Sequence, residues 1–239
     1  MHFTEQMMGG QQLLRVSGDS LSVDVEYFNP DYLKAQNLLN EVWQGRGETW
    51  LFHMGEQMLV LRHYRRGGKA AMLRDYYVWT GLQQTRAWQE FKLLAELHAA
   101  GLPVPKPVAA RVKRCGLFYQ ADLMTECLPA VRPMSALLKD RVLSSARWQD
   151  IGRIIRRFHD YQVNHADLNA HNILISESGI FLIDFDKSAI IKKTGRQNWK
   201  QGNLNRLLRS LQKIQKQDKN LKFEAKDWLA LMNGYNAVQ

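Results

Sequence analysis

Three oxygen-bearing side chains in the second half of the chain have the types and the spacing that suit phosphoryl transfer. Asp167 is followed five residues later by Asn172, and Asp184 comes after two short apolar runs that enclose a Ser-Gly pair. These runs, at 173–175 and 180–183, predict a β-hairpin that brings the side chains of Asn172 and Asp184 to the same end. Transfer to a hydroxyl needs a carboxylate that accepts the proton and hard oxygen ligands that hold Mg²⁺. The spacing therefore predicts Asp167 as the catalytic base and Asn172 and Asp184 as metal ligands.

The same segment resembles the conserved core of protein kinases. H-A-D-L-N-A-H-N at 165–172 and I-D-F-D at 183–186 resemble the catalytic loop H-R-D-x-x-x-x-N and the metal motif D-F-G. Ala166 stands where kinases have Arg, so we expect no phosphate switch on an activation loop. Asp186 stands where they have Gly, which removes a permissive hinge, as expected of constitutive small-molecule kinases. A buried hairpin after a helix is the structural alternative, but two motifs at this spacing favour a kinase.

One amphipathic helix is predicted to lead into the catalytic loop. Ser144 or Ser145 can cap it, and its apolar stripe consists of Trp148, Ile151, Ile154, Ile155 and Phe158. Within the loop, His165 is interpreted as a structural histidine, because Asp167 already provides the base. His171 receives no role.

The N-terminal half contains candidates for binding the nucleotide. Gly45 and Gly47 lie between two stretches rich in apolar and aromatic residues, which predicts a strand-turn-strand whose backbone amides cover the phosphates. A plain hairpin turn explains the same pattern, and only the downstream motifs favour the nucleotide. Residues 58–62 predict a strand that ends in Arg62, where the kinase resemblance implies a phosphate-binding cation. Arginine keeps the charge there but offers a planar fork instead of a point charge.

An acidic residue on the next predicted helix completes this set. Apolar positions between 82 and 100 fall on one helical stripe, and Gly101 is expected to end the helix. Glu90 lies near its middle, and the resemblance implies that it holds Arg62 toward the nucleotide. The alternative is an exposed Glu90 that pairs with Arg86 one helical turn away.

The middle of the chain is predicted to connect two lobes. Three alternating prolines between 102 and 108 exclude a helix, a strand is predicted at 117–124, and 125–129 then break its pattern. We therefore expect a nucleotide-binding lobe at 1–125 and a catalytic and acceptor-binding lobe at 126–239. The resemblance implies an α+β, bilobal protein-kinase-like fold, with an N-terminal antiparallel sheet and one helix followed by a mainly helical C-terminal lobe that carries the catalytic hairpin.

Composition narrows the class of protein further. The chain has 239 residues, 45% of them hydrophobic, which is enough for one sizeable domain or two lobes around a cleft. No apolar run approaches the roughly 20 residues that cross a bilayer, and the first residues lack an export signal, so we expect a cytoplasmic protein. Two cysteines in such a chain favour reduced thiols over a disulfide.

The net charge of +10 is concentrated after the catalytic motifs. Between Lys187 and Lys226 there are twelve Lys or Arg residues against two acidic ones, so this stretch carries the entire excess. Such a surface attracts phosphorylated lipids, acidic membranes or nucleic acid, whereas the alternative is a set of solvated helix faces without a partner. We expect neutralisation of Lys192, Lys193, Arg196 and Lys200 to raise the KM for an anionic acceptor.

At closer range the chain is similar to the 3-deoxy-D-manno-octulosonic acid (Kdo) kinase family of Gram-negative bacteria. The motifs that carry this resemblance are G-R-G-E-T-W, V-L-R-H-Y-R-R-G-G, E-F-K-L-L, G-L-P-V-P-K-P and D-L-N-A-H-N-I-L. The resemblance implies phosphorylation of the 4-OH of Kdo on a Kdo-bearing lipid A precursor, with ATP and Mg²⁺ as cofactors. It also implies peripheral attachment to the anionic cytoplasmic face of the inner membrane and no nucleic-acid partner.

Other functions remain possible on the residues alone. A heptose kinase or a RIO-like atypical kinase acting on protein Ser would use the same motifs. A pseudokinase serving as a lipid-binding scaffold would explain the missing strand lysine and D-F-G glycine, but Asp167, Asn172 and Asp184 are all present. A nucleic-acid binder would explain the basic charge and none of the acidic residues.

Overall fold

The computed structural model describes residues 3–17, 21–44, 48–65, 75–192 and 198–237. The chain divides into two compact units, Met1–Ala100 with Pro105–Leu128 and Gly101–Val104 with Pro129–Gln239. The first unit is built mainly on an antiparallel sheet and the second mainly on helices, which confirms the predicted α+β class.

An eight-stranded sheet forms the first unit. Its strands are β1 (Phe3–Met8), β2 (Gln11–Val16), β3 (Leu39–Gln44), β4 (Glu48–Met54), β5 (Gln57–His63), β6 (Tyr77–Val78), β7 (Pro107–Cys115) and β8 (Phe118–Glu126). The order is β1-β2-β7-β8-β5-β4-β3, and β6 pairs with β8. Strand β8 continues two residues past its predicted end, because Thr125 and Glu126 pair with Val60 and Leu59 of β5. The hairpin β1-β2 is an addition that sequence patterns did not predict.

Two α-helices lie in the described residues of this unit. The first is α1 (Pro30–Ala35), and the Asn29 side chain caps it by accepting from the amide of Asp31 at 3.0 Å. Helix α2 (Arg86–Ala99) buries Trp88 and Phe91 against the sheet. It begins four residues later than predicted, because the chain first forms a 3-10 turn at Leu82–Gln84.

Helices dominate the second unit. They are α3 (Met134–Asp140), α4 (Ser145–Asp160), α5 (Asn198–Gln217) and α6 (Ala225–Asn236). Short strands lie between them: β9 (Arg132–Pro133), β10 (Val163–Asn164), β11 (Ile173–Ile175), β12 (Ile180–Leu182) and β13 (Ala189–Ile190). The predicted hairpin is β11-β12, in which Ile173 lies opposite Leu182. Ser144 caps α4, as one of the two predicted candidates, by accepting from the amide of Arg147 at 3.2 Å.

Close packing of α4 against α6 depends on two glycines. A Cβ atom at Gly152 would lie 2.0 Å from the carbonyl oxygen of Leu231, and one at Gly234 would lie 2.1 Å from that of Gln149. Neither helix can carry a side chain at the crossing, because the obstacle is backbone in both cases.

Two smaller findings concern the cysteines and the hydropathy of the helices. Cys115 and Cys127 are free thiols, as expected. Among the helices that the structure describes, none combines the length and the apolar character needed to cross a bilayer.

Candidate active site

The catalytic loop, residues 165–172, connects β10 to β11 and is held mainly by side chains. Six of its backbone N–H groups donate to side-chain atoms, namely those of His165, Ala166, Asp167, Ala170, His171 and Asn172. An irregular segment must satisfy its backbone groups individually when it is buried. The loop therefore has one well-determined conformation despite having little regular secondary structure.

His165 links the catalytic loop to the strand that precedes Asp184. Its Nδ1 accepts from the amide of Asp167 at 3.2 Å, and its Nε2 lies 3.1 Å from the carbonyl oxygen of Ile183. These partners require a neutral ring with the proton on Nε2, and burial lowers the pKa of His165 in the same direction. The structure thus agrees with the interpretation of His165 as a structural histidine.

Two amide side chains fix the main chain of Asp167. Asn169 and Asn172 both donate to its carbonyl oxygen, at 3.0 and 2.9 Å. Asn169 also accepts from the amides of His171 and Asn172 at 2.8 and 3.2 Å, which closes a turn around the loop. The Asp167 residue is half-buried, and its main chain is held on both sides. Asn169 had no predicted role, although an Asn two residues after an Asp is a recognisable turn signal.

The two predicted metal ligands are adjacent. Asn172 precedes β11 and Asp184 follows β12 by two residues, and the amide of Ile183 donates to the carbonyl of Asn172 at 3.1 Å. The Asn172 side chain uses its Nδ2 for Asp167, so its Oδ1 remains as the atom that can face a cation. Asp184 adopts a φ of 63°, a left-handed conformation that costs a non-glycine residue about 1–3 kcal/mol and recurs at functional sites.

This ligand set fits Mg²⁺. Mg²⁺ prefers oxygen ligands and is usually bound through one or two carboxylates together with waters and substrate phosphates. Asp184 provides one carboxylate and Asn172 one amide oxygen. Across the ranges that the structure describes, there is no group of three or more His, Cys, Asp or Glu side chains that could hold a metal by itself. One carboxylate and one amide oxygen form a ligand set that Mg²⁺ can complete with waters and substrate phosphates.

A polar stripe on α5 supports the catalytic loop. Asn203 accepts from the amide of His165 at 3.0 Å and Ser210 accepts from that of Ala170 at 3.0 Å. Arg206 donates to the carbonyl of His165 at 3.4 Å. Positions 203, 206 and 210 lie on one face of a helix, so a single rigid element contacts both ends of the loop. Asn203 is only 2% exposed, and it also donates to Asn164 at 2.9 Å.

The predicted residues of the first unit form a cluster of their own. Arg62 of β5 forms an ion pair with Glu90 of α2, and Glu90 is 3% exposed. Tyr64 donates its hydroxyl to the same Glu90 oxygen, accepts from Arg62 at 3.1 Å, and has its ring 4.7 Å from the Arg62 guanidinium. Burial and the Glu90 charge raise the pKa of Tyr64, so its hydroxyl stays protonated and donates. Glu90 is therefore not the exposed residue of the alternative interpretation. Tyr64 is a third member of this cluster, which sequence analysis did not predict.

Two glycines were predicted to cover the nucleotide phosphates. Gly45 and Gly47 lie outside the described residues. The strands on either side of them, β3 and β4, pair antiparallel, with Trp43 opposite Thr49. The role of the two glycines stays a prediction.

Sequence comparison identifies the family. A family model described as the Lipopolysaccharide kinase (Kdo/WaaP) family matches residues 32–235, which include every predicted site residue. The chain belongs to this family. Membership of a kinase family confirms the predicted class of enzyme.

Relatives within the lipopolysaccharide kinase family carry a more specific name. A protein of Actinobacillus succinogenes called 3-deoxy-D-manno-octulosonic acid kinase is 42% identical over 218 residues, which cover 87% of this chain and 89% of the relative. A protein of Vibrio vulnificus with the same name is 40% identical over 240 residues, which cover 98% and 99%. The similarity therefore extends over both units.

A solved structure supports the assignment of the fold. The structure entitled "WaaP in complex with acyl carrier protein" matches with a TM-score of 0.54 over 84% of this chain and 80% of that one. The identity is 16%, so this comparison shows the fold alone. Together with the family match, it confirms the expected kinase-like fold.

One further contact of the catalytic loop in this lipopolysaccharide kinase family member was not predictable from the sequence. The hydroxyl of Ser135, in α3, lies 2.8 Å from Nδ1 of His171, and the Ser135 amide donates to the carbonyl of Ala170 at 3.0 Å. Ser135 is buried, so α3 contacts the loop just before Asn172. This places His171, which had no predicted role, in the support of the loop.

Proposed function

We propose that this chain is a Kdo kinase that transfers the γ-phosphoryl group of ATP to the 4-OH of Kdo on a Kdo-lipid A precursor, Kdo-lipid IVA, in lipopolysaccharide core biosynthesis. The observation that carries the proposal is the joined arrangement of Asp167, Asn172 and Asp184 around one hairpin. Relatives that bear the Kdo kinase name at 40–44% identity support the choice of acceptor.

Asp167 acts as the base in this proposal. Its carboxylate accepts the proton of the attacking sugar hydroxyl and orients that oxygen toward the γ-phosphorus. Its amide is held by His165 and its carbonyl by Asn169 and Asn172, so the side chain starts from a fixed backbone. Preorganisation of this kind matters because positioning provides much of the rate of phosphoryl transfer.

Asn172 and Asp184 hold Mg²⁺ through one amide oxygen and one carboxylate. When bound, the metal supplies charge neutralisation for the β- and γ-phosphates. The protein's own contribution is orientation: the hydrogen bond from Asn172 to Asp167 fixes the amide, and the pairing of β11 with β12 fixes its separation from Asp184.

The first unit provides the nucleotide contacts. Arg62 donates to phosphate oxygens while Glu90 and Tyr64 restrict its orientation. The backbone amides around Gly45 and Gly47 cover the phosphates. Residues 1–125 accordingly act as the nucleotide-binding lobe, and 126–239 as the catalytic and acceptor-binding lobe.

The basic C-terminal stretch attracts the acceptor and the inner-membrane surface on which it lies. Arg209, Lys213 and Lys216 are exposed on α5 at helical spacing, on the flank next to the stripe that supports the loop. Each such cation near an anionic bilayer contributes about 1 kcal/mol of attraction. A variant in which Lys192, Lys193, Arg196 and Lys200 are all replaced by Ser should have a raised KM for Kdo-lipid IVA in low salt. Its KM for ATP should be unchanged. Lys193 and Arg196 lie outside the described residues.

Acceptor screening tests the proposal. The protein is incubated with ATP, Mg²⁺ and either Kdo-lipid IVA, a heptose-bearing core acceptor or a Ser-rich peptide, and the products are weighed by mass spectrometry. The proposal requires one added phosphoryl group on Kdo-lipid IVA, lost when the Kdo 4-OH is absent. Phosphate only on heptose or on Ser would support the kinase alternatives, and ATP binding without transfer to any acceptor would support a pseudokinase.

A further inference from the structure

One end of the N-terminal sheet carries a continuous apolar surface that faces solvent. Val78 of β6 lies directly opposite Phe118 of β8, and the amide of Trp79 donates to the carbonyl of Leu117 at 2.9 Å. Leu117 is 78% exposed, Val78 55% and Phe118 39%. Single exposed apolar side chains are common, but neighbours that form one surface mark a site of interaction. We call Val78, Trp79, Leu117 and Phe118 the apolar tip.

Two turns lie at this end of the sheet. Residues 9–10 connect β1 to β2, and residues 116–117 connect β7 to β8. Gln11 at the start of β2 lies opposite Lys113 near the end of β7, so the strand register brings both turns to the same end. A Cβ atom at Gly116 would meet no atom within 4 Å. The second turn therefore borders open space, and the apolar tip is available to a partner.

The charged side chains around the apolar tip are basic. The strand ends and turns at this end of the sheet comprise residues 7–12, 76–80 and 113–118, and their charged side chains are those of Lys113 and Arg114. Both residues are exposed, and no acidic residue lies in the same three ranges. The apolar tip is thus flanked by cations.

Acidic residues farther along the same part of the chain are already paired. Asp122 of β8 binds Arg111 at 2.7 Å, and Asp75, just before β6, pairs with Arg65 at 3.3 Å. In the sequence, residues 66–74, which lie outside the described residues, add three cations and no acid. The basic charge beside the apolar tip is therefore not offset by these carboxylates.

Arg114 provides a cation next to the apolar tip itself. Its guanidinium lies 5.0 Å from the centre of the Trp79 ring, and its Nε donates to the carbonyl of Gly116 at 3.1 Å. It lies on the face of β7 opposite that of Lys113, which borders a cavity together with Glu26. Arg114 thus keeps its charge beside the apolar tip even where Glu26 offsets Lys113.

An anionic bilayer matches this combination of side chains. At a membrane interface, Leu and Phe enter the boundary of the acyl chains, Trp stays at the headgroup level, and Lys and Arg extend their charges to the lipid phosphates. A symmetric contact with a second copy would cover the apolar side chains but would bring like charges of both copies together. We propose that the apolar tip inserts into an anionic membrane surface. This contact is additional to the attraction by α5 in the proposed function.

Insertion and electrostatic attraction differ in their response to salt. Attraction between surface charges is screened at high ionic strength, whereas burial of apolar side chains is not. Co-sedimentation of the full chain with vesicles of phosphatidylethanolamine and phosphatidylglycerol measures binding in about 0.1 M and in about 1 M salt. We expect binding to weaken with salt and to remain measurable at the higher concentration.

Substitutions separate the apolar part of this surface from the charged part. Val78→Thr combined with Leu117→Ser replaces two exposed apolar side chains and should weaken vesicle binding about tenfold or more at both salt concentrations, with an unchanged melting temperature. Lys113→Gln combined with Arg114→Gln should weaken binding in low salt alone. Leu229→Gln is the matched control, because Leu229 is 61% exposed on α6, and it should bind as wild type.

A spin label reports insertion directly. A nitroxide is attached at Leu117→Cys in a chain whose Cys115 and Cys127 are replaced by Ser, and Leu229→Cys in the same background is the control position. Vesicles should increase collisions of the label at 117 with oxygen, which is concentrated among acyl chains. They should decrease its collisions with a water-soluble nickel complex. The label at 229 should respond to neither change.

Several results would overturn the proposal. These are no vesicle binding by wild type at the higher salt concentration, equal binding there by wild type and the variant with Val78→Thr and Leu117→Ser, or a label at 117 that remains accessible to nickel on vesicles. A dimer that this variant dissociates without a change in vesicle binding would assign the surface to a second copy instead.

Phosphoryl transfer to Kdo-lipid IVA in detergent separates this proposal from the proposed function. The variant with Val78→Thr and Leu117→Ser should transfer phosphate at the wild-type rate there, because no bilayer is present. A protein that inserts the apolar tip into vesicles but phosphorylates no acceptor would refute the proposed function and leave this surface standing.

Discussion

The side-chain amide of Asn172 donates to the main-chain carbonyl of Asp167 over 2.9 Å, so the proposed metal ligand also holds the proposed base in place. In the proposed function, one side chain thereby serves two functions through two different atoms. Its nitrogen orients the loop and its oxygen remains for the cation. The two functions can be separated by substitution.

Asn172→Asp keeps an oxygen for Mg²⁺ but replaces the N–H donor by an acceptor that faces the Asp167 carbonyl. We expect the Mg²⁺ concentration for half-maximal rate to stay within a few fold of wild type, while kcat falls about 10²-fold from misplacement of the base. Asn172→Ala should lower kcat and also raise the Mg²⁺ requirement. Steady-state rates over a Mg²⁺ series measure both quantities, with Asn205→Ala on exposed α5 surface as the control. Equal Mg²⁺ requirements in the two variants would argue against a metal contact by Asn172.

The Arg62–Glu90 pair predicts a contrast between single and double substitutions. Arg62→Met removes the cation that pairs with the buried Glu90 carboxylate, so the free energy of unfolding should fall by about 3–5 kcal/mol. Arg62→Met with Glu90→Leu removes both charges and should recover most of that loss, yet its KM for ATP should remain raised tenfold or more. Urea unfolding and ATP titration of initial rates provide the two measurements. A double variant with a normal KM for ATP would show that the pair only supports the fold.

The α5 stripe predicts a positioning effect on kcat. Asn203→Ala removes the acceptor for the amide of His165, which should cost about 1–3 kcal/mol of stability. It should also lower kcat by about ten- to a hundredfold through a displaced catalytic loop, with both KM values nearly unchanged. Ser210→Ala should have a smaller effect in the same direction, and Gln201→Ala, exposed on the same helix, none. A variant that loses stability while retaining full kcat at a temperature where it is folded would contradict this role.

Two buried histidines, His159 and His165, and the partly buried His63 predict loss of stability on acidification. Burial lowers the pKa of His63 to about 3, that of His159 to about 4, and that of His165 in the same direction. An unfolded His titrates near 6.5, so below that pH the unfolded chain binds more protons than the folded one, and the free energy of unfolding falls as pH falls. Each such group contributes a slope of up to about 1.4 kcal/mol per pH unit.

Denaturant unfolding between pH 7.5 and 4.5 measures this slope. His159→Gln keeps a polar group near the Tyr235 hydroxyl, to which His159 Nδ1 lies at 2.8 Å, and removes the titration. The free energy of unfolding of this variant should depend less steeply on pH than that of wild type. The difference should correspond to about one proton fewer taken up on unfolding. If the free energies of unfolding of the two proteins ran parallel against pH, His159 would have the same pKa in the folded and the unfolded state.

Local patterns were sufficient to predict the β11-β12 hairpin and the strand that carries Arg62. Each depends on residues within a few positions of one another, where apolar runs, turns and motif spacing are informative. The α5 stripe was not predictable in this way. Asn203, Arg206 and Ser210 lie beside an apolar stripe, where polar residues ordinarily face water. Only the tertiary structure brings them against a loop nearly forty residues earlier in the chain.

The first forty residues illustrate a second limit. Leu13 and Leu14 are fully buried in β2, but the flanking residues are polar, so neither strict alternation nor a helical period results. Tyr64 was missed because its partner Glu90 is 26 residues away and belongs to a different element. Pairing between strands and helices distant in sequence determines such positions, and a single sequence does not encode it as a periodic pattern.

The most direct measurement compares wild type with Asp167→Asn in a single turnover with labelled ATP, Mg²⁺ and Kdo-lipid IVA. If Asp167 accepts the proton of the Kdo hydroxyl, labelled phosphate appears on the lipid with wild type. The variant should transfer it about 10²–10⁴ times more slowly, with unchanged ATP affinity and melting temperature. Asp150→Asn, an exposed carboxylate on α4, should behave as wild type. Transfer by Asp167→Asn at the wild-type rate would contradict the account.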